Sequence, residues 1–145
     1  MPRNPELNKE MRFKSISRIL STSLRLFAYN GYHRTSMKQI AEQAEMSPGN
    51  LYWYYSSKKK ILQAVLKKGF TDQKTVLKDI HNFTGGTEDR LINLVDSFIH
   101  YYRNAWEFIT VYLAVYAEGR EKRFAELGFD TDAIGARYHQ LVSDI

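Results

Sequence analysis

Prolines occur only at positions 2, 5 and 48, so almost the whole chain is free of the one residue that a helix interior cannot accept. Alternating runs of the strand kind are absent, whereas apolar residues recur at three- and four-residue spacing throughout. Together these features predict an all-α protein. At 145 residues, such a chain can bury about 68–70% of its unfolded surface, enough for one good core or for a small head plus a bundle.

The periodicity predicts individual helices. A first runs from about Met11 to Tyr29 with Ile16, Ile19, Leu20, Leu24, Phe27 and Ala28 on one face, and Asn30-Gly31 supplies its left-handed stop. A second begins at Ser36, where Ser36 and Gln39 have capping-box spacing, and ends near Ala44 after burying Met37, Ile40, Ala41 and Ala44. Ser47-Pro48 is an N-cap followed by proline at the first helical position, which starts a third helix that ends near Tyr55. Ser56 or Ser57 then caps a long fourth helix reaching about Asn82.

The charge is unevenly spread. Residues 1–68 carry 13 Lys/Arg against 4 Asp/Glu, while residues 69–145 carry 8 against 12. A basic first half is an electrostatic footprint for a polyanion. There are no cysteines, so disulfides, thiolate metal sites and cysteine nucleophiles are excluded. Met1 to Lys14 is polar and charged, unlike a secretory leader, and a cytoplasmic protein is expected. The longest apolar stretch, about Ala105 to Ala117, is too short to span a bilayer and is interrupted by Glu107, so no membrane partner is expected.

Two short helices joined by a tight turn and preceded by a longer one form the pattern of a helix-turn-helix, whose second helix enters the DNA major groove. Ordered residue types strengthen that pattern: Phe27, Gly31-Tyr32, Thr35-Ser36, Ile40-Ala41-Glu42-Gln43-Ala44, Ser47, Gly49-Asn50-Leu51-Tyr52, Tyr54, Tyr55 and Lys58. On these residues, between about Arg18 and Leu66, the sequence resembles the TetR family of bacterial transcriptional regulators. It departs from the family pattern at Glu45, where glycine is usual in the turn, and at Tyr55, where phenylalanine is usual.

The resemblance implies roles residue by residue. Thr35, Lys38, Tyr54 and Lys58 match phosphate-contacting positions, with Ser36 beside them. Lys58, Lys59 and Lys60 open the fourth helix, where the macrodipole disfavours each cation by roughly 0.3–1 kcal/mol at low salt. On DNA the same place becomes favourable, because Lys58 and the exposed N–H groups can share one phosphate. Pro48, Gly49, Asn50 and Tyr52 match the groove-facing start of the recognition helix, with Asn50 suited to a base edge and Tyr52 to a phosphate or a thymine methyl. Leu51 and Tyr55 read as core, and Trp53 fits either the groove or the core. Arg3, Lys9, Arg12 and Lys14 read as a solvated first turn, or else as a basic arm.

Beyond the fourth helix, Thr84 to Thr87 break the pattern. Thr87 is placed as the cap of a fifth helix running to about Arg103, with Leu91, Leu94, Val95, Phe98, Ile99 and Tyr102 on its apolar side. Asn104 and Glu107 are placed as the cap and third residue of a sixth helix, apolar nearly all round and therefore expected to be buried. After a loop at Gly128 and Asp130 to Asp132, a last helix begins at Ala133. In the family this part holds an inducing small molecule and the dimer contact. By that resemblance Phe98, His100, Tyr101, Tyr102, Trp106, Tyr112 and Tyr116 are candidate ligand-binding residues, although aromatic residues at helical spacing are also ordinary core.

The resulting expectation is an N-terminal three-helix helix-turn-helix domain, residues 1–56, followed by a helical ligand-binding and dimerisation bundle, residues 57–145. Residues 57–83 are its connecting fourth helix, and the C-terminal dimer helices of the family are expected to be missing, as in a truncated chain. The expected function is that of a ligand-responsive repressor acting as a homodimer on palindromic operator DNA, with no catalytic residue, metal or cofactor. No Gly-rich phosphate loop or H-x-x-x-H pair occurs, and His33, His81, His100 and His139 are far apart in sequence. The alternative is a helical interaction module that binds polyanions without reading bases.

Overall fold

The structure is a computed structural model that describes residues 5–143. It is all-α, and among the described residues the helices are α1 (Pro5–Asn30), α2 (Met37–Gln43), α3 (Pro48–Tyr54), α4 (Lys58–His81), α5 (Thr87–Asn104), α6 (Trp106–Ala117), α7 (Arg120–Glu126) and α8 (Thr131–Ser143). The chain resolves into two compact units, residues 1–65 and 66–145, and the division falls inside α4.

In the first unit α1 begins at Pro5, earlier than the periodicity indicates, because proline is accommodated in a first turn. Its opening turns bury nothing: Leu7, Met11 and Phe13 are exposed, and Lys14 pairs with Glu10 in solvent. Lys9, Arg12 and Lys14 therefore lie on a solvated helix, and Arg3 lies outside the described residues. Farther on, α1 supplies Ile19, Leu20 and Phe27 to a core completed by Ile40, Ala41 and Ala44 of α2, Leu51 of α3 and Ile61, Leu62 and Val65 of α4. Burying each of the larger side chains is worth about 1.5–3 kcal/mol, so short helices with little stability of their own are fixed by packing.

The junctions follow the sequence signals. Gly31, at φ +84°, ends α1 with its N–H on the Phe27 carbonyl at 3.0 Å. Ser36 caps α2 reciprocally: its Oγ accepts the Gln39 N–H at 3.2 Å, and its own N–H donates to Gln39 Oε1 at 2.8 Å. Ser47 Oγ accepts the Asn50 N–H at 3.2 Å ahead of Pro48. In the turn between α2 and α3 Glu45 adopts φ 54°, the left-handed conformation that glycine takes without strain. Its carboxylate lies 3.7 Å from the Arg18 guanidinium, an exposed pair that offsets little of that cost. Of the two serines before α4, Ser57 is the one whose Oγ accepts the Lys60 N–H.

The second unit corrects several boundaries. Thr87 is the first residue of α5 rather than its cap, and Gly86 holds the cap position without a side-chain bond. Asn104 does not cap α6 either. Its amide turns back onto α5, donating to the His100 carbonyl at 2.9 Å, and Ala105 occupies the cap position. The short α7 had no sequence signal strong enough to place it; it follows Gly119 at φ +137° and closes at Gly128 at φ +80°. There the Phe129 N–H reaches back to the Phe124 carbonyl at 2.9 Å, and Phe124 and Leu127 are buried. Asp130 opens α8 by accepting the Asp132 and Ala133 N–H groups at 3.0 Å each.

Nor is α6 buried all round. Phe108, Val111 and Val115 are covered, whereas Trp106, Leu113 and Tyr116 remain exposed. On α5 the predicted apolar side is also open, with Leu91, Val95, Ile99 and Tyr102 exposed. Gly69 of α4 lets Phe108 lie directly against the helix backbone, since an added Cβ would sit 2.1 Å from the ring.

Candidate nucleic-acid interface and cavity

The first unit presents α3 to solvent by its N-terminal end. Leu51 is fully buried, while Pro48, Gly49, Asn50, Tyr52 and Trp53 are exposed, the last two at 52% and 68%. Leu51 is thus the one buried anchor of the helix, and the side from Pro48 through Asn50 with Tyr52 and Trp53 faces solvent. No atom lies within 4 Å of a Cβ built on Gly49, so the helix start is open to close approach. Tyr54 is half-buried with its ring edge-to-face against Trp53, centroids 4.8 Å apart. Tyr55 is half-buried, and burial raises the pKa of its phenol.

Arg12 of α1 places its guanidinium 5.6 Å from the centre of the Trp53 ring. This cation–aromatic contact joins residues 41 positions apart, and no local pattern could have indicated it. It puts a positive charge beside α3. Lys38 on α2 and Lys59 and Lys60 on α4 are exposed cations of the same unit.

Two residues matched by resemblance to phosphate contacts have their polar atoms occupied within the unit. Thr35 is 1% exposed, and its hydroxyl donates to the Gly31 carbonyl at 2.9 Å, with the Leu26 carbonyl at 3.4 Å. The Lys58 ammonium donates to the carbonyls of Tyr32 and Thr35, each at 2.7 Å, and to that of His33 at 3.3 Å. It also lies 4.4 Å from the centre of the Tyr32 ring. Burial lowers its pKa, and the converging carbonyl dipoles stabilise the charge that burial disfavours. Thr35 and Lys58 are thus the ties that fix the turn between α1 and α2. Ser36 is exposed, but its hydroxyl is engaged with Gln39. Of the other phosphate-matched residues, Lys38 is exposed and Tyr54 is half-buried.

Within the second unit lies a cavity of about 400 Å³. Of the seven candidate ligand residues, Phe98, Tyr102 and Tyr112 line it, and His100, Tyr101, Trp106 and Tyr116 do not. Helix geometry explains the division. Phe98 and Tyr102 are four apart and share a face of α5. His100 lies on another side, exposed and beside the Asn104 amide. The Tyr101 hydroxyl is buried without a hydrogen-bond partner, and its pKa is pushed up to about 12 by burial, with Tyr102 and Asp72 adding to the shift. Trp106 and Tyr116 face outward on α6. The remaining wall comes from residues outside that candidate set, notably Phe70 and Gln73 of α4, Phe124 of α7 and Thr131 and Ile134 of α8. Phe124 was out of reach because α7 itself was not anticipated.

Residues 19–65 match the profile of the bacterial regulatory proteins of the tetR family. A 50-residue stretch is 40% identical to the HTH-type transcriptional regulator UidR of Escherichia coli K12, covering 34% of this chain and 26% of UidR. Over 92 residues the chain is 33% identical to the HTH-type transcriptional repressor KstR of Mycolicibacterium smegmatis, covering 62% of this chain and 44% of KstR. The matched stretches thus span about a quarter to under half of these relatives. Among solved structures, GusR of Salmonella enterica superposes with a TM-score of 0.62 at 30% identity, over 90% of this chain and 64% of that one. A transcriptional regulator from Aquifex aeolicus VF5 superposes with a TM-score of 0.69 over 88% and 71% of the two chains, and at 19% identity that likeness bears on the fold alone.

Proposed function

Because the chain belongs, through residues 19–65, to the tetR family of bacterial regulatory proteins, we propose that it is a sequence-specific DNA-binding transcriptional regulator, most specifically a ligand-responsive repressor that acts as a homodimer on a palindromic operator. The observation that carries this reading is the presentation of α3, whose one buried residue is Leu51 and which is exposed from Pro48 through Asn50 and at Tyr52 and Trp53. Membership in that family makes the protein a regulator and not an enzyme. No described helix is long and apolar enough to cross a membrane.

In this reading α3 lies in the major groove, where the Asn50 amide bonds a base edge and Tyr52 meets a phosphate or a thymine methyl. Gly49 admits the DNA backbone closely. Lys38 and the Ser36 end of α2 contact phosphate, the Tyr54 hydroxyl does so from the end of α3, and Lys59 and Lys60 add field. Thr35 and Lys58 act first as scaffold. Lys58 contributes its charge to the phosphate through space, because its donors are directed at carbonyls. Residues 1–56 form the DNA-binding head and residues 57–145 the regulatory bundle, with residues 57–83 as the lever. The lever assignment is supported by α4 itself, which carries Lys58 at its start and contributes Phe70 and Gln73 to the cavity wall. A ligand there shifts α4 and changes the separation of two recognition helices in a dimer.

Selection of bound sequences from a random duplex pool tests the function. The expected result is enrichment of a short palindrome whose binding weakens with salt but stays sequence-selective. Salt-dependent binding to all sequences, with nothing enriched, would instead make the protein a nonspecific polyanion-binding module.

A further inference from the structure

We infer that the cavity of the second unit takes an uncharged, largely aromatic molecule and rejects carboxylates and sulfonates; this rests on the reading above that the cavity is where regulation begins. Its wall is mostly rings and aliphatic side chains, with Phe70, Phe98, Phe108, Tyr112, Phe124 and Ile134 prominent. None of the described lining residues carries a charge. An anion that entered would leave water for a wall in which no described residue is a cation, and burying an unpaired charge is among the least favourable transfers in protein chemistry. Lys68, on α4 ahead of Gln73, is already paired with Asp72. Residues 69–145 are also net acidic, so the surrounding field opposes an approaching anion.

A cation fits no better. Cation recognition by rings needs several faces aimed at one point. Here Phe70 meets Phe108 and Tyr112 nearly edge-on, with interplanar angles of 85° and 87° at centroid separations of 5.7 and 5.9 Å. The rings are committed to one another in the arrangement that continues most naturally with another neutral ring. Phe108 is moreover a fixed wall, since it rests on α4 at Gly69 where no side chain intervenes. Four lining side chains carry uncharged polar groups: the Gln73 amide, a donor and an acceptor, and the hydroxyls of Thr131, Tyr102 and Tyr112. The ligand class is therefore a neutral aromatic compound whose hydroxyl, carbonyl or arylamine groups meet Gln73 and the hydroxyls of Thr131, Tyr102 and Tyr112. The volume of about 400 Å³ sits within the roughly 300–1,000 Å³ of small-molecule sites.

The test uses two fluorescent probes that share a skeleton, N-phenyl-1-naphthylamine, which is neutral, and 8-anilinonaphthalene-1-sulfonate, which adds only the anionic group. Wild type is compared with Gln73→Lys, which places a cation in the wall, and with Ile134→Trp, which fills the space; circular dichroism verifies the helix content of both variants. The expected result is binding of the neutral probe at least tenfold tighter than the sulfonate. Ile134→Trp should weaken the neutral probe at least tenfold, and Gln73→Lys should shift the ratio of the two affinities toward the sulfonate by a similar factor. Sulfonate binding as tight as neutral binding, and equally lost in Ile134→Trp, would overturn the ligand class while leaving the cavity as a binding site. Neutral-probe binding untouched by Ile134→Trp would place the probe on the open faces of α5 and α6 and overturn both the class and the cavity reading.

Discussion

Leu51→Ala is expected to destabilise the first unit by about 3 kcal/mol and to abolish DNA binding with it. Leu51 is the only buried side chain of α3 and lies in the same core as Ile40, Ala41 and Ala44 of α2. A seven-residue helix has no stability of its own, so its place depends on that anchor together with the Ser47 cap. Truncation removes most of the side chain and leaves a cavity that α2 and α3 cannot close without moving toward each other. Urea unfolding followed by circular dichroism measures the loss. A change below about 1 kcal/mol would mean that α3 is held by something other than this core, and the account of its presentation would have to be abandoned.

Lys58→Met is expected to lower stability by about 2 kcal/mol even in the absence of DNA. The methionine keeps the aliphatic stem but withdraws a charged donor from the carbonyls of Tyr32, His33 and Thr35. Those groups lie in the turn that positions Ser36 and hence α2. The figure is below the sum of the individual charged hydrogen bonds because the site is only part-buried and water can replace some of them. Lys58→Arg should recover little, since a planar guanidinium cannot aim its donors at carbonyls that converge on one point. Unchanged stability in denaturant titration, with DNA affinity alone reduced, would show that Lys58 serves the phosphate and not the turn.

Much of the head was legible because it is written in local chemistry. The serine caps, Pro48 at the first position of α3, Gly31 after α1 and the three- and four-residue spacing of Ile40, Ala41 and Ala44 act over a few residues, and the structure bears them out. Glu45 was marked by the resemblance alone, as standing where glycine is usual, and it takes a left-handed conformation at φ 54°. What was not legible depends on residues far apart. Matching by residue type gave Thr35 and Lys58 outward roles, yet whether a hydroxyl or an ammonium faces solvent depends on carbonyls that only the folded turn brings near. Arg12 and Trp53 meet for a similar reason.

The second unit was less legible because its aromatic residues are too many. Tyrosine and phenylalanine at helical spacing indicate an apolar side but not which neighbour covers it, so Tyr112 and Tyr116, on one helix, were equal candidates and only Tyr112 lines the cavity. Thr87 and Asn104 show another limit. Each is a good capping residue, but the backbone placed Gly86 and Ala105 at the caps and gave the Asn104 amide a carbonyl on the preceding turn.

Binding of variants to the selected palindrome tests most directly whether α3 reads bases while the cations around it position the protein. Asn50→Ala and Lys38→Ala are each measured, across a range of salt, against the palindrome, its single-base substitutions and unrelated duplex. Asn50→Ala should lose about 1–3 kcal/mol on the palindrome and lose discrimination at one position of each half-site. Lys38→Ala should weaken binding to every duplex alike and make the salt slope less steep by about one. If both variants weakened all sequences equally, with discrimination unchanged at every position, α3 would not be the element that reads DNA.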